Sequence, residues 1–113
     1  MGRSKMGNVY TSQFNYKGED RIDITWQTGL EIFRPIKELI YAYKNGNIHE
    51  DTYICMYNKM MYDSWRKNRE AWEEVLQRDR ITLVCHCPED AFCHRVVLAK
   101  ILTQQGATYK GEI

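Results

Sequence analysis

An excess of charge of one sign is missing from this chain. Its 113 residues carry 16 lysines and arginines against 15 aspartates and glutamates, a net charge of +1. Nucleic acid is therefore not favoured as a partner, because binding to a phosphate backbone leaves a clustered basic surface as its footprint. The densest basic stretch, Arg66 to Arg69, gives way to acids further along the same segment and reads as a solvated helix face. Also missing is any apolar run near the ~20 residues that cross a bilayer. The first residues, MGRSKMG, have no apolar stretch behind their basic residues, so no secretory signal is read there. Met6 stands where a myristoylation motif needs Ser or Thr, and residues 1–7 read as a flexible N-terminus. These absences point to a cytoplasmic protein with no membrane partner. Its cysteines are then expected to be thiols or metal ligands rather than disulfides. No internal repeat or low-complexity tract breaks the sequence, and an apolar content of 43% suits a single domain, 1–113, around one core.

What is present is a succession of short periodic segments. Asn8 to Phe14 reads as a first strand. Arg21 to Gln27 alternates, with Ile22, Ile24 and Trp26 on one side, as a half-buried extended segment does. Pro35 suits the first turn of a helix, after which Ile36, Leu39, Ile40 and Tyr43 share a face and Gly46 ends it. Glu50 to about Trp65 is helical, with Ile54, Tyr57, Met61 and Trp65 on one stripe. Lys67 to Gln77 reads as a separate or kinked helix with Trp72, Val75 and Leu76 inward. Ile81 to Cys85 is a buried strand, Val96 to Leu102 opens a helix closed by Gly106, and Ala107 to Ile113 is a last short strand. The order β, β, α, α, α, β, α, β predicts an α/β fold: a small three-layer, Rossmann-like, mostly parallel sheet flanked by helices.

Chemistry is concentrated in residues 81–102, ITLVCHCPEDAFCHRVVLAKIL, where three of the four cysteines and two of the three histidines fall within ten residues. Four readings compete. Cys85, Cys87, Cys93 and His94 have the donor types of a zinc site, but one residue between Cys85 and Cys87 is not the paired CxxC spacing, and no metal or cofactor is expected. Cys87 or Cys93 as a nucleophile would have its pKa lowered by a helix N-terminus and Arg95. Phosphatase chemistry is disfavoured, because seven residues separate Cys87 from Arg95 and include Glu89 and Asp90. A binding loop is the third reading: helix N–H groups with His94 and Arg95 make an anion corner, and Thr11 and Ser12 lie close if the two strands are adjacent and parallel. The plainest reading has Cys85 and Cys93 as packing residues, with Arg95 bridging an acid such as Glu89. Cys55 reads as core and His49 as surface.

At these residues the chain resembles the domain-of-unknown-function 488 family, small bacterial and phage proteins. The likeness lies in Leu83-Val84-Cys85, an acidic loop, and Phe92-Cys93-His94-Arg95 ahead of an apolar helix. Tyr10-Thr11-Ser12-Gln13-Phe14, Asp23-Ile24-Thr25 and Phe33-Arg34-Pro35 extend it over most of the chain. The resemblance implies a Rossmann-like sheet with a pocket lined by the Cys-His-Arg loop. It implies no particular reaction, and by analogy it suggests nucleotide or DNA metabolism or the countering of host defence. Many members have a glutamate two residues after the strand cysteine. Cys87 stands there in this chain, and Glu112 is the candidate acid from another strand.

Taken together, these readings lead to an expectation of a small α/β protein that binds a phosphorylated ligand, a nucleotide or cyclic nucleotide. His94 and Arg95 hold phosphate, Thr11, Ser12, Arg21, Cys85 and Cys93 contribute polar contacts, and Phe14, Trp26 or Tyr10 stacks on a base. Sequestration of a nucleotide signal is the expected role. The competing expectations are an enzyme acting on nucleotides or nucleosides through Cys93, Cys87 or Glu112, and a zinc-stabilised interaction module. The aromatic-rich span from Tyr53 to Trp72 is a candidate homo-oligomer interface.

Overall fold

The computed structural model describes residues 7–86 and 94–113. Eight elements follow the expected order: β1 (Asn8–Gln13), β2 (Arg21–Asp23), α1 (Lys37–Lys44), α2 (Glu50–Lys67), α3 (Arg69–Leu76), β3 (Arg80–Cys85), α4 (His94–Gln104) and β4 (Thr108–Glu112). The strands form one sheet in the order β2-β3-β1-β4. Every pairing in it is parallel, giving the small Rossmann-like α/β fold. Because β3 separates β1 from β2, the 14–20 connection has to cross β3, and α4 carries the chain across β1 to reach β4.

β3 is buried on both faces from Ile81 to Cys85, while β1 and β2 alternate in part. Val9, Ile81, Leu83 and Cys85 belong to the core with Leu98 and Leu102 of α4 and Tyr57 of α2. Register partners point to the same side of a sheet. Thr11, paired with Leu83 and Glu112, therefore faces the helices, as does Cys85 opposite Gln13. Ser12, opposite Val84, and Arg21, opposite Thr82, lie on the other side.

The helices keep their expected inner faces with local differences. Asn68 separates α2 from α3, and Trp72, Val75 and Leu76 are buried. The Trp72 indole N–H donates to Ser64 Oγ at 3.0 Å, and that hydroxyl donates to the Ile32 carbonyl at 2.7 Å. Ile36 is exposed rather than inward, because it precedes the first full turn of α1, whose buried residues are Leu39 and Ile40 with Tyr43 packed beside them. Cys55 is exposed and a free thiol, not core, since the buried stripe of α2 runs through Tyr53, Tyr57 and Met61. His49 is at the surface, as expected. β2 ends at Asp23, earlier than the alternation to Gln27 suggests. The Asp23 carboxylate accepts the Thr25 N–H at 2.8 Å and the Thr28 hydroxyl, turning the chain there. Helix α4 begins two residues before Val96, at His94. No helix among the described residues is long and apolar enough to cross a membrane.

Asp20 fastens the crossing connection to β3. Its carboxylate accepts the Tyr16 hydroxyl at 2.7 Å, Arg80 Nε at 2.9 Å and the Thr82 hydroxyl. Partial burial opposes ionisation, but the hydrogen bonds from Thr82, Tyr16 and Arg80 outweigh it and hold the carboxyl below its ordinary range. A depressed carboxyl contributes stability above the unfolded-state pKa, near ~3.9. That contribution is lost as pH falls through the lower folded-state value. Asp20→Asn is expected to lower stability by about 1–3 kcal/mol at neutral pH and to flatten the loss of stability below pH ~4. Urea titrations across that range check both.

Candidate functional site

In an open parallel sheet, ligands bind outside the carboxyl ends of the strands. Here those ends bring together Ser12 of β1 and Phe14 just after it, Asp23 of β2, Cys85 and His86 at the end of β3, and Glu112 of β4. The first turn of α4 lies against the same edge, since side chains there lean back towards the helix start.

Arg95 organises the helix-facing side. It is 1% exposed. Its Nε and Nη2 donate to the two oxygens of Glu112 at 3.2 and 3.0 Å, a bidentate ion pair. Its Nη1 donates to Cys85 Sγ at 3.1 Å. One side chain thus ties α4 to β3 and β4. Glu112 is 21% exposed, so the pair is buried on the arginine side and open on the carboxylate side. Thr11, in register with Glu112, is buried, and its hydroxyl lies 2.8 Å from the Tyr109 hydroxyl. Cys85 is disulfide-bonded, which corrects for this cysteine the expectation of a thiol or metal ligand.

His94 points elsewhere. It is buried, its Nε2–H donates to the Ile24 carbonyl at 2.7 Å, and the edge of its ring meets Tyr57 at 5.4 Å between centroids. Burial first, and the Arg95 charge besides, lower its pKa to about 4 despite the Ile24 bond and the Asp23 charge, which favour the cation. At neutral pH His94 is a neutral donor that pins the start of α4 to the segment after β2. Tyr57 belongs to the same wall. Burial, with Tyr53 beside it, raises its pKa well above the ordinary value, and its hydroxyl donates to the Phe33 carbonyl at 2.8 Å.

On the opposite side of the sheet Ser12, Thr82 and Val84 are buried, and above them Phe14 and Arg21 are half-buried and His86 is exposed. Phe14 stacks on His86 with centroids 4.0 Å apart, and the Arg21 guanidinium lies 4.3 Å from the Phe14 ring centre. Arg21 Nη2 also donates to the Phe14 carbonyl at 2.9 Å. Ser12 Oγ donates to the Ile113 carbonyl at 3.0 Å.

The structure therefore brings Thr11, Cys85, Arg95 and Glu112 together on one side, and Ser12, Phe14 and Arg21 on the other. Trp26 stands apart, edge-on to Tyr41 with Lys37 6.0 Å from its ring. Tyr10 is covered by Arg80 at 4.1 Å. Cys87, Cys93 and Glu89 lie outside the described residues, and no group of three metal-ligating side chains occurs among the described ones. His86 is the site residue that sequence reasoning passed over. Its signal was weak, a polar ring directly after a buried strand, and its partner Phe14 is 72 positions away in the chain.

Two predictions follow from this geometry. Glu112→Leu leaves the Arg95 cation buried without its carboxylate and is expected to cost about 3 kcal/mol. The double change Arg95→Met with Glu112→Leu is expected to recover most of that loss, as a denaturant double-mutant cycle reports. For His94 the folded-state pKa is depressed, so its contribution is full above pH 6.5 and is lost as pH falls towards about 4. Loss of stability between those values, on the order of 3 kcal/mol, is expected in the wild type. It should be absent in His94→Gln, which keeps a donor for Ile24 but does not titrate.

Comparison with known proteins places this arrangement in a family. Residues 5–106 match the model of DUF488-N3a, described as the "Active DUF488-N3 subclade". Searches of curated proteins and of solved structures return no match. The match spans nearly the whole chain, including the strand cysteine and the Cys93-His94-Arg95 motif, and the chain belongs to the DUF488 family.

Proposed function

We propose that this protein binds a phosphorylated, nucleotide-like small molecule at the carboxyl edge of its sheet. One observation carries the reading: four parallel strands deliver Ser12, Phe14, Asp23, His86 and Glu112 to a single edge, the position where open α/β sheets take ligands. Aromatic rings beside a guanidinium suit a base-and-phosphate ligand. In this reading Arg95 does not grip the ligand itself, as its fork is occupied by Glu112. It fixes the edge on which the ligand sits, and His94 fixes the helix that carries Arg95. A binder of this size would act by sequestering a nucleotide signal, the role of a phage counter-defence protein.

A specific observation favours a second reading, in which the protein also acts on that ligand. Glu112 is a carboxylate held in one orientation by two hydrogen bonds from a buried guanidinium, with its own surface partly open. That is the arrangement of a positioned general base.

Calorimetry against nucleoside mono-, di- and triphosphates and cyclic nucleotides tests the first reading. Binding of at least one class is expected, and absence of binding across the panel contradicts it. Product analysis with the bound nucleotide then separates the two readings. If Glu112 is catalytic, Glu112→Gln lowers turnover by about 100-fold or more while the folded variant still binds. Absence of turnover in the wild type leaves binding alone.

A further inference from the structure

We propose that Arg21 is the phosphate anchor of this site, held in place by Phe14 and so set to receive an anion. The inference deepens the ligand reading above and rests on it for the identity of the ligand. Arg21 is the first residue of β2, and its side chain reaches up to the Phe14 ring and carbonyl at the sheet edge. A guanidinium lying over a ring uses its face for the contact and keeps its N–H groups in its own plane. One of them, on Nη2, is fixed by the Phe14 carbonyl. The remaining in-plane donors match the bidentate geometry of a phosphate.

Charge separates Arg21 from the other arginines nearby. Arg95 is paired with Glu112, Arg80 with Asp20 and Arg78 with Glu74. Among the described residues no carboxylate lies within ion-pair distance of Arg21. The acid nearest to it along β2, Asp23, feels the Arg21 charge but makes no ion-pair contact with it, its oxygens being taken by the Thr25 N–H and the Thr28 hydroxyl. His86 stacks on the same Phe14 ring at 4.0 Å and is itself exposed, so the ring that holds Arg21 is itself held from a second side. The phosphate anchor therefore sits at the half-buried Arg21 on the rim rather than at the buried Arg95.

The test uses inorganic pyrophosphate as the probe, alongside the nucleotide panel, against the wild type, Arg21→Gln and Arg21→Lys, all checked for unchanged circular dichroism. Pyrophosphate is expected to bind the wild type with an affinity that falls as salt rises. Arg21→Gln should weaken it about tenfold or more. Arg21→Lys should fall between the two, since lysine keeps the charge and loses the fork. Failure of the wild type to bind pyrophosphate, or equal affinity of Arg21→Gln for pyrophosphate and nucleotides, would overturn the anchor. In the second case the ligand reading survives. Arg21-dependent binding of pyrophosphate with no binding of any nucleotide would keep the anchor and sink the nucleotide reading.

Discussion

The bidentate contact between Arg95 and Glu112 is the constraint on which the rest of this structure depends. A guanidinium taken almost wholly out of water is tolerated only when its charge and its donors are met. Here Glu112 meets the charge, and Cys85 Sγ takes a further N–H. These partners come from β4 and β3, with β1 between them, and the arginine comes from the first turn of α4. Satisfying one cation therefore sets where the helix begins, how β4 lies against β1, and which acid faces the carboxyl edge.

The same requirement divides labour across the sheet. The helix side holds a closed arrangement in which the polar groups of Thr11, His94, Arg95 and Glu112 are engaged with the protein. The other side holds Phe14, Arg21 and His86, half-buried or exposed and stacked on one another. Rigid support beneath an open, polar rim is how α/β proteins combine a fixed scaffold with an adaptable binding surface. Asp20 and Asp23 contribute locally, each fixing one end of β2 so that Arg21 starts from a defined position.

Much of the fold was legible in the sequence. The change of apolar period from two to 3.6, with β-branched residues at Ile81 and Val84 and helical spacing at Trp72, Val75 and Leu76, set the order of elements correctly. Element type depends on local periodicity, and that is written along the chain. The site was legible only in part. The Cys-His-Arg cluster and Glu112 were visible as candidates, but the partner of Arg95 was sought in the adjacent loop. The ion pair depends on β4 lying two strands from β3, which no local pattern encodes. The opposite facing of Thr11 and Ser12 follows from register. The joining of Phe14, Arg21 and His86 follows from the connection crossing β3, another non-local event. Ile36 and Cys55 were assigned inward from hydropathy alone, and the ends of helical stripes are where that signal is weakest.

The central claim is that a phosphorylated nucleotide-like ligand occupies the carboxyl edge of the sheet, supported from below by the Arg95–Glu112 pair. Titration of the isotope-labelled protein with a nucleoside diphosphate, followed by amide chemical shifts, tests it most directly. The account predicts saturable shifts concentrated at Ser12, Phe14, Arg21, His86 and Glu112, with the outer faces of α2 and α3 unmoved. Shifts confined to those helices, or none at saturating ligand, would contradict it.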